Sequence, residues 1–281
     1  MSQEIPDDHI TRKEAVLRLP GMERVIVRRD VPYLSTDTSA LTMDLYSPAE
    51  SWNGELRPAV VSILGYPDPG MERIFGRPYK DWGSSTSWAR LVAASGLVAI
   101  TYSNREPGDI HSLLGYLYEH GADHGIDSSR IGLLAVSGHA PLALSVLMPP
   151  AHRAAVRCAA FLCPFLLDLE GSTAVLEAAT IFRFANPSAG KTLDDLPKTT
   201  PLFIARAGED QMPGLNETLD RFVAKARDGK LDLSVVNHPH GTHAFDVSQD
   251  SEESREAIRA ALVFLRRSLL GLVNEPEGAL R

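Results

Sequence analysis

The chain has 281 residues, with 28 Lys and Arg against 36 Asp and Glu, a formal charge of −8. A hydrophobic share of 44% and a charged share of 23% belong to an ordinary globular protein and exclude a disordered chain. The acidic balance, without a basic block, leaves no electrostatic footprint for nucleic acid, and no apolar run reaches the ~20 residues of a bilayer span, so neither nucleic acid nor membrane is an expected partner. Residues 1–8 carry acids and lack the apolar core of a signal peptide. Together with the scarcity of cysteine this predicts a cytoplasmic location. The two cysteines, Cys158 and Cys163, share one apolar run. Their offset of five sets them on opposite faces of a strand, too far apart to bridge, so both read as buried small hydrophobes.

In chain order, residues 1–22 read as an N-terminal extension and residues 23–275 as a single α/β domain. Val25 and Val27, then Leu41, Met43 and Leu45, recur at period two and predict half-buried antiparallel strands. Continuous apolar runs at 59–64, 97–102, 131–136, 158–162 and 202–205 predict strands covered on both faces. Leu231, Leu233 and Val235 alternate again, as near a sheet edge. Helical stripes separate these runs. Trp88, Leu91 and Val92 form one, with Ser84 or Ser85 as its cap and Gly96 at its end. Ile110, Leu113, Leu114 and Leu117 form a second behind Asp109, and the Gly121 between His120 and His124 reads as a helix end rather than a site. Leu215, Leu219, Phe222, Val223 and Ala226 form a third, ending near Gly229. Ile258, Leu262, Leu265 and Leu269 form the last, with Asp250 and Glu253 spaced as a capping box and Gly271 at its end. This alternation predicts an α/β fold: a mixed, mostly parallel eight-stranded sheet with helices on both faces. Residues 166–200 break the rhythm after the sixth strand and read as a small cap-like insertion.

Ligands of such folds bind outside the carboxyl ends of the strands, and the chemistry-bearing residues fall there. The fifth strand runs into Ala135-Val136-Ser137-Gly138-His139-Ala140, and a helix-compatible segment follows at once. A serine on a sharp strand-to-helix turn has its hydroxyl lifted off the sheet beside helix N-terminal amides. The segment resembles the nucleophile elbow of the α/β-hydrolases, Gly-x-Ser-x-Gly, with Ala135 for the first glycine and His139 for the second. A serine nucleophile needs a base and an orienting acid. The seventh strand leads into Gly208-Glu209-Asp210; Glu209 is the rival acid, and the resemblance places the acid at Asp210. The eighth leads into His238-Pro239-His240-Gly241-Thr242-His243-Ala244-Phe245-Asp246, where His243 resembles the catalytic histidine. The order Ser, Asp, His is that of the same fold.

Three histidines in one loop also invite a metal, but Pro239 interrupts them and no His-Glu-x-x-His helix exists, so no metal is expected. Gly190-Lys191-Thr192 lacks both the earlier glycine of a phosphate loop, Ala185 standing there, and a strand leading in, so no nucleotide is expected. The oxyanion donors would be the amides of Gly138 and of Tyr66, in Gly65-Tyr66-Pro67-Asp68-Pro69-Gly70 after the third strand, since Pro67 has no amide hydrogen. Asp68, Trp82, Arg105 and His139 are candidate substrate contacts by position.

These phrases, with Ser87-Trp88-Ala89-Arg90-Leu91-Val92-Ala93-Ala94-Ser95-Gly96-Leu97, resemble the dienelactone-hydrolase-like group of α/β-hydrolases over about residues 41–270. Dienelactone hydrolases proper carry cysteine where this chain has Ser137. The resemblance implies cofactor-free cleavage of an ester, thioester or lactone in a small acyl substrate. The same triad could serve C–C hydrolysis or acyl transfer. A rival reading is a hydrolase-fold binding protein whose elbow is spoiled by His139. A homodimer would be one way to cover an exposed sheet edge.

Overall fold

The computed structural model describes residues 9–35, 40–49, 55–148 and 156–272. Its eight strands are β1 Ile26–Ser35, β2 Ala40–Ser47, β3 Arg57–Ser62, β4 Val98–Tyr102, β5 Ile126–Val136, β6 Val156–Leu162, β7 Leu202–Ala207 and β8 Leu233–His238. They form one sheet in the order β1-β2-β4-β3-β5-β6-β7-β8. β1 and β2 pair antiparallel, β2 meets β4 antiparallel, and every later pairing is parallel. This is the predicted mixed sheet, with the alternating segments at its two edges.

Successive strand residues face opposite cores. Val61, Ile100, Leu133, Ala159 and Ile204 face one; Val60, Ala99, Leu134, Ala160 and Phe203 face the other. The first core is closed by α3 Ile110–His120, α4 Ala140–Leu147 and α6 Leu215–Asp228, the second by α2 Gly83–Ala94 and, after the single turn α7 Phe245–Ser248, by α8 Glu252–Leu270. No described helix is long and apolar enough to cross a membrane.

Several local expectations change. α2 begins at Gly83 with Trp82 as its N-cap residue, so Ser84 and Ser85 lie inside its first turn and neither caps it. α8 is capped by Ser251, whose side chain accepts from the Ser254 amide, in place of the Asp250–Glu253 pair. Asp68, Pro69 and Gly70, read as part of the loop after the third strand, open helix α1 Asp68–Phe75; Pro69 sits in its first turn, where a missing amide hydrogen breaks no helical bond. The described part of the N-terminal extension is built into the second core. Leu17, Leu19 and Met22 are buried there, the Ala15 amide donates to Ser87 Oγ at 2.8 Å, and the Val16 amide donates to the Asp246 carbonyl at 2.8 Å.

Cys158 and Cys163 are free and buried. They do not face opposite ways. Cys163 lies just past β6 with φ +36, and this left-handed turn returns its side chain to the core that holds Cys158.

The insertion carries α5 Ala174–Phe182. Its first turn is held by Asp168, whose two carboxylate oxygens accept from the Val175 and Leu176 amides at 3.0 and 2.9 Å. Acceptors at a helix start meet its unpaired donors, which fixes where α5 begins; the insertion is tied to the loop after β3 by the Ala185 amide, which donates to the Gly65 carbonyl at 2.8 Å.

Candidate active site

β5 ends at Val136, and the chain turns over Ser137 into a short 3₁₀ turn, Ser137–His139, and then α4. Ser137 has φ +53, a region that a non-glycine residue occupies only under local constraint. Its carbonyl accepts from the Phe165 amide at 3.3 Å. Its Oγ lies 2.7 Å from His243 Nε2, and His243 Nδ1 lies 2.7 Å from Asp210 Oδ2. The Asp210 side chain is wholly buried, and its other oxygen accepts from the Met212 amide at 2.9 Å. Glu209 is exposed and sits 3.1 Å from His240 Nδ1. Of the two rival acids, the structure brings Asp210 to His243.

Two loops must interlock for that to happen. The Gly208 amide donates to the His238 carbonyl, and the Glu209 amide to the Gly241 carbonyl, both at 2.8 Å. A Cβ on Gly208 would stand 2.2 Å from the Pro239 carbonyl oxygen, a backbone atom that cannot swing aside. Gly208→Ala is therefore expected to cost about 2–3 kcal/mol of stability and to pull Asp210 away from His243. Chemical denaturation and kcat measured on the same sample check this; a variant with unchanged midpoint and turnover would contradict it.

The three clustered histidines diverge. His243 meets Ser137, exposed His240 meets Glu209, and buried His238 places Nε2 2.9 Å from Ser254 Oγ. Among the described residues, one group of donor atoms does converge: Cys163 with Asp210 and His243, all within 4.8 Å. Burial holds the Cys163 thiol well above its ordinary pKa, and the other two members already bond to each other. A cation there would have to strip a protonated thiol and break the dyad, so Cys163 reads as packing behind it.

β3 and β5 are neighbours, so the loops after them meet. A Cβ on Gly65 would lie 2.7 Å from the Gly138 carbonyl oxygen, which is why glycine is needed at this crossing. Leu64, Gly65 and Tyr66 offer six backbone polar groups. The Leu64 amide donates to Tyr102 Oη, and its carbonyl accepts from Asn104 Nδ2. The Gly65 amide donates to His139 Nδ1 at 2.8 Å, and its carbonyl accepts from the Ala185 amide at 2.8 Å. The Tyr66 carbonyl accepts from Asn104 Nδ2 at 3.0 Å. Of these six groups, the Tyr66 amide has no acceptor among the described residues. The Gly138 amide, in the first turn of its 3₁₀ segment, is likewise unspent.

Aromatic side chains wall this space. A Cβ on Gly138 would meet Phe184 Cδ1 at 2.6 Å and Tyr66 Oη at 2.8 Å. Phe184 stacks on Phe165 at 5.3 Å between centroids, and Phe165 lies 6.3 Å from the His243 ring. Sequence reasoning passed over both phenylalanines, because apolar residues after β6 and in the insertion look like any other core positions.

No protein-family model matches the chain, and none of the curated proteins matches it. Solved structures do. A bacterial heroin esterase superposes with a TM-score of 0.63 at 15% identity, covering 87% of this chain and 84% of that one. The esterase Est2 of the planctomycete Thermogutta terrifontis gives 0.61 at 20%, covering 89% and 95%. A vibralactone cyclase gives 0.64 at 13%, covering 91% and 83%. The chain has the α/β-hydrolase fold.

On this hydrolase fold the remaining candidate contacts take other places. Arg105 is half-exposed and turned to Asp109, with Nη2 2.8 Å from Oδ1, and among the described residues no hydrogen bond or ion pair joins it to Ser137, His243 or Asp210. The useful residue after β4 is its neighbour Asn104, which braces residues 64–66 and whose Oδ1 accepts from the Asp68 amide at 2.9 Å. A small polar residue next to an arginine gave no sequence signal for that role. Asp68 is a buried brace and not a substrate contact: it accepts from the Tyr79 and Asn104 amides, both at 2.9 Å. Burial pushes its carboxyl up to about 6, against the pull of those two donors. Trp82 and His139 line a cavity of about 150 Å³ beside the elbow, with Trp88, Tyr79 and Asp246 among its other walls. Asp246 is buried and accepts from Trp88 Nε1 at 2.7 Å, tying the histidine loop to α2.

Proposed function

We propose that this chain is a serine hydrolase that cleaves a carboxylic ester, thioester or lactone through an acyl-serine intermediate. The observation that carries this reading is the relay of two 2.7 Å contacts, Ser137 to His243 to Asp210, mounted on a serine at positive φ. Ser137 Oγ attacks the acyl carbonyl while His243 Nε2 takes its proton. The carbonyl oxygen, now charged, is received by the unspent amides of Tyr66 and Gly138. His243 returns the proton to the departing oxygen or sulfur, and the acyl group stays on Ser137. Water, deprotonated by the same imidazole, then releases the acid. Asp210 holds the proton on Nδ1, so that Nε2 is the free base when attack begins. The aromatic walls, Tyr66, Phe165 and Phe184, suit an apolar acyl or alcohol group. Within the hydrolase fold we place the chain in the dienelactone-hydrolase-like group, with serine as nucleophile.

The binding-protein reading rests on His139 spoiling the elbow. Two observations weigh against it. The His139 ring is buried between Tyr66 and Tyr79, with centroids 5.1 and 4.8 Å away. Ser137 keeps both its positive φ and its contact with His243.

A fluorophosphonate probe followed by peptide mapping tests the proposal. One adduct on Ser137 is expected, with labelling slowed at least ~100-fold in His243→Ala. A folded protein that takes no label, or takes it elsewhere, would overturn the reading.

A further inference from the structure

We propose that His139 is a positioning residue that clasps the loop after β3 to the nucleophile turn and thereby sets the Tyr66 amide for the oxyanion. The proposal builds on the serine-hydrolase reading. The elbow pattern asks for glycine at this position because the turn is crowded. Here the extra side chain has its own berth: the ring stands edge-on to Tyr66 at 76°, tilted on Tyr79 at 52°, and is 6% exposed. From that berth Nδ1 accepts the Gly65 amide at 2.8 Å. A ring nitrogen that accepts carries no proton, so the tautomer is Nε2–H. Burial pushes the imidazole down to about 4, so it is neutral near pH 7 and its lone pair is available. An imidazolium would set N–H against N–H.

The consequence lies one peptide further on. The Tyr66 amide hydrogen belongs to the Gly65–Tyr66 peptide. The oxygen of that peptide is held by Ala185 from the insertion, and the peptide before it is held by His139 from the elbow. Two anchors on successive peptides define the plane between them. With the His139 anchor gone, the Gly65 amide is buried without an acceptor, and the loop must shift to find one. An oxyanion donor misplaced by about 1 Å loses much of its effect, because such donors act only when aimed in advance.

Three measurements on the full chain test the clasp. In wild-type protein, 15N NMR of the imidazoles should show one buried histidine with protonated Nε2 and bare Nδ1 near pH 7, a resonance absent in His139→Asn. His139→Phe keeps the ring's shape but not the acceptor. It is expected to stay folded and to lower kcat by ~10–100-fold with KM within ~3-fold. His139→Asn sets an amide oxygen near the place of Nδ1 and should restore kcat to within ~5-fold of wild type. A purely structural role for the ring would predict the reverse order, since Asn leaves the berth half-empty. The clasp is overturned if folded His139→Phe turns over like wild type, if Asn is as slow as Phe, or if Nδ1 proves protonated. Should Phe fail to fold, the Asn variant and the wild-type spectrum still decide. Ser137→Ala assayed in parallel separates the two ideas. Full turnover there removes the hydrolase reading and leaves the tautomer to judge the clasp. A dead Ser137→Ala beside an unimpaired His139→Phe removes the clasp alone.

Discussion

Ser137→Ala is expected to lower kcat/KM toward an activated ester by about 10⁴–10⁶-fold, with the melting temperature nearly unchanged. The size follows from what the substitution removes. No covalent intermediate can form, and His243 loses the hydroxyl 2.7 Å from its Nε2. The remainder is what the oxyanion donors and substrate binding contribute by themselves, roughly 10³-fold over water in triad enzymes. Stability should hold because alanine and serine face the same constraint at φ +53, and among the described residues the hydroxyl bonds to His243 alone. Steady-state kinetics on protein freed of contaminating esterase decides the matter. A variant within tenfold of wild type would mean that Ser137 is a strained turn residue and that the chemistry lies elsewhere.

The second large effect is Asp210→Asn, for which we expect a loss of about 10⁴-fold in kcat. The reason is a tautomer and not a lost charge alone. The Met212 amide donates to Asp210 Oδ1 at 2.9 Å, so an asparagine there is driven to keep its oxygen toward Met212. Its NH₂ then faces His243 Nδ1, where Asp210 Oδ2 had accepted at 2.7 Å. An NH₂ opposite Nδ1 makes that nitrogen the acceptor and moves the proton to Nε2. The imidazole can then no longer take the proton of Ser137. Glu209→Gln is the control, since Glu209 is exposed and bound to His240; its kcat should stay within about twofold, as for other surface changes. If Glu209→Gln proved the damaging change and Asp210→Asn the mild one, the acid would have been misassigned.

The fold was legible because one-dimensional patterns report burial. Runs such as 131–136 are apolar on both faces only when a strand is covered on both sides, and the edge strands announced themselves by alternation. Helix starts were less legible, since any serine near an apolar stripe offers a cap: Ser84 and Ser85 proved internal to α2, and Ser251 took the place of the Asp250–Glu253 pair. α1 was hidden because Pro69 and Gly70 read as turn signals, while a first helical turn tolerates proline.

What this sequence determined by itself was the class of fold and a short set of chemistry-bearing residues at the strand ends: Ser137, Asp210 and His243 stood out through their order and their loops. What only the tertiary structure decided was direction. It separated Asp210 from Glu209, turned Arg105 away to Asp109, and sent Asp68 and Asn104 to brace residues 64–66. It brought Phe165 and Phe184 over the site and bound His139 to Gly65, 74 positions away. The physical reason is that periodicity records only whether a side chain leaves water. Which partner it then meets depends on loops from separate strands crossing at the carboxyl end of the sheet, and no local pattern carries that information.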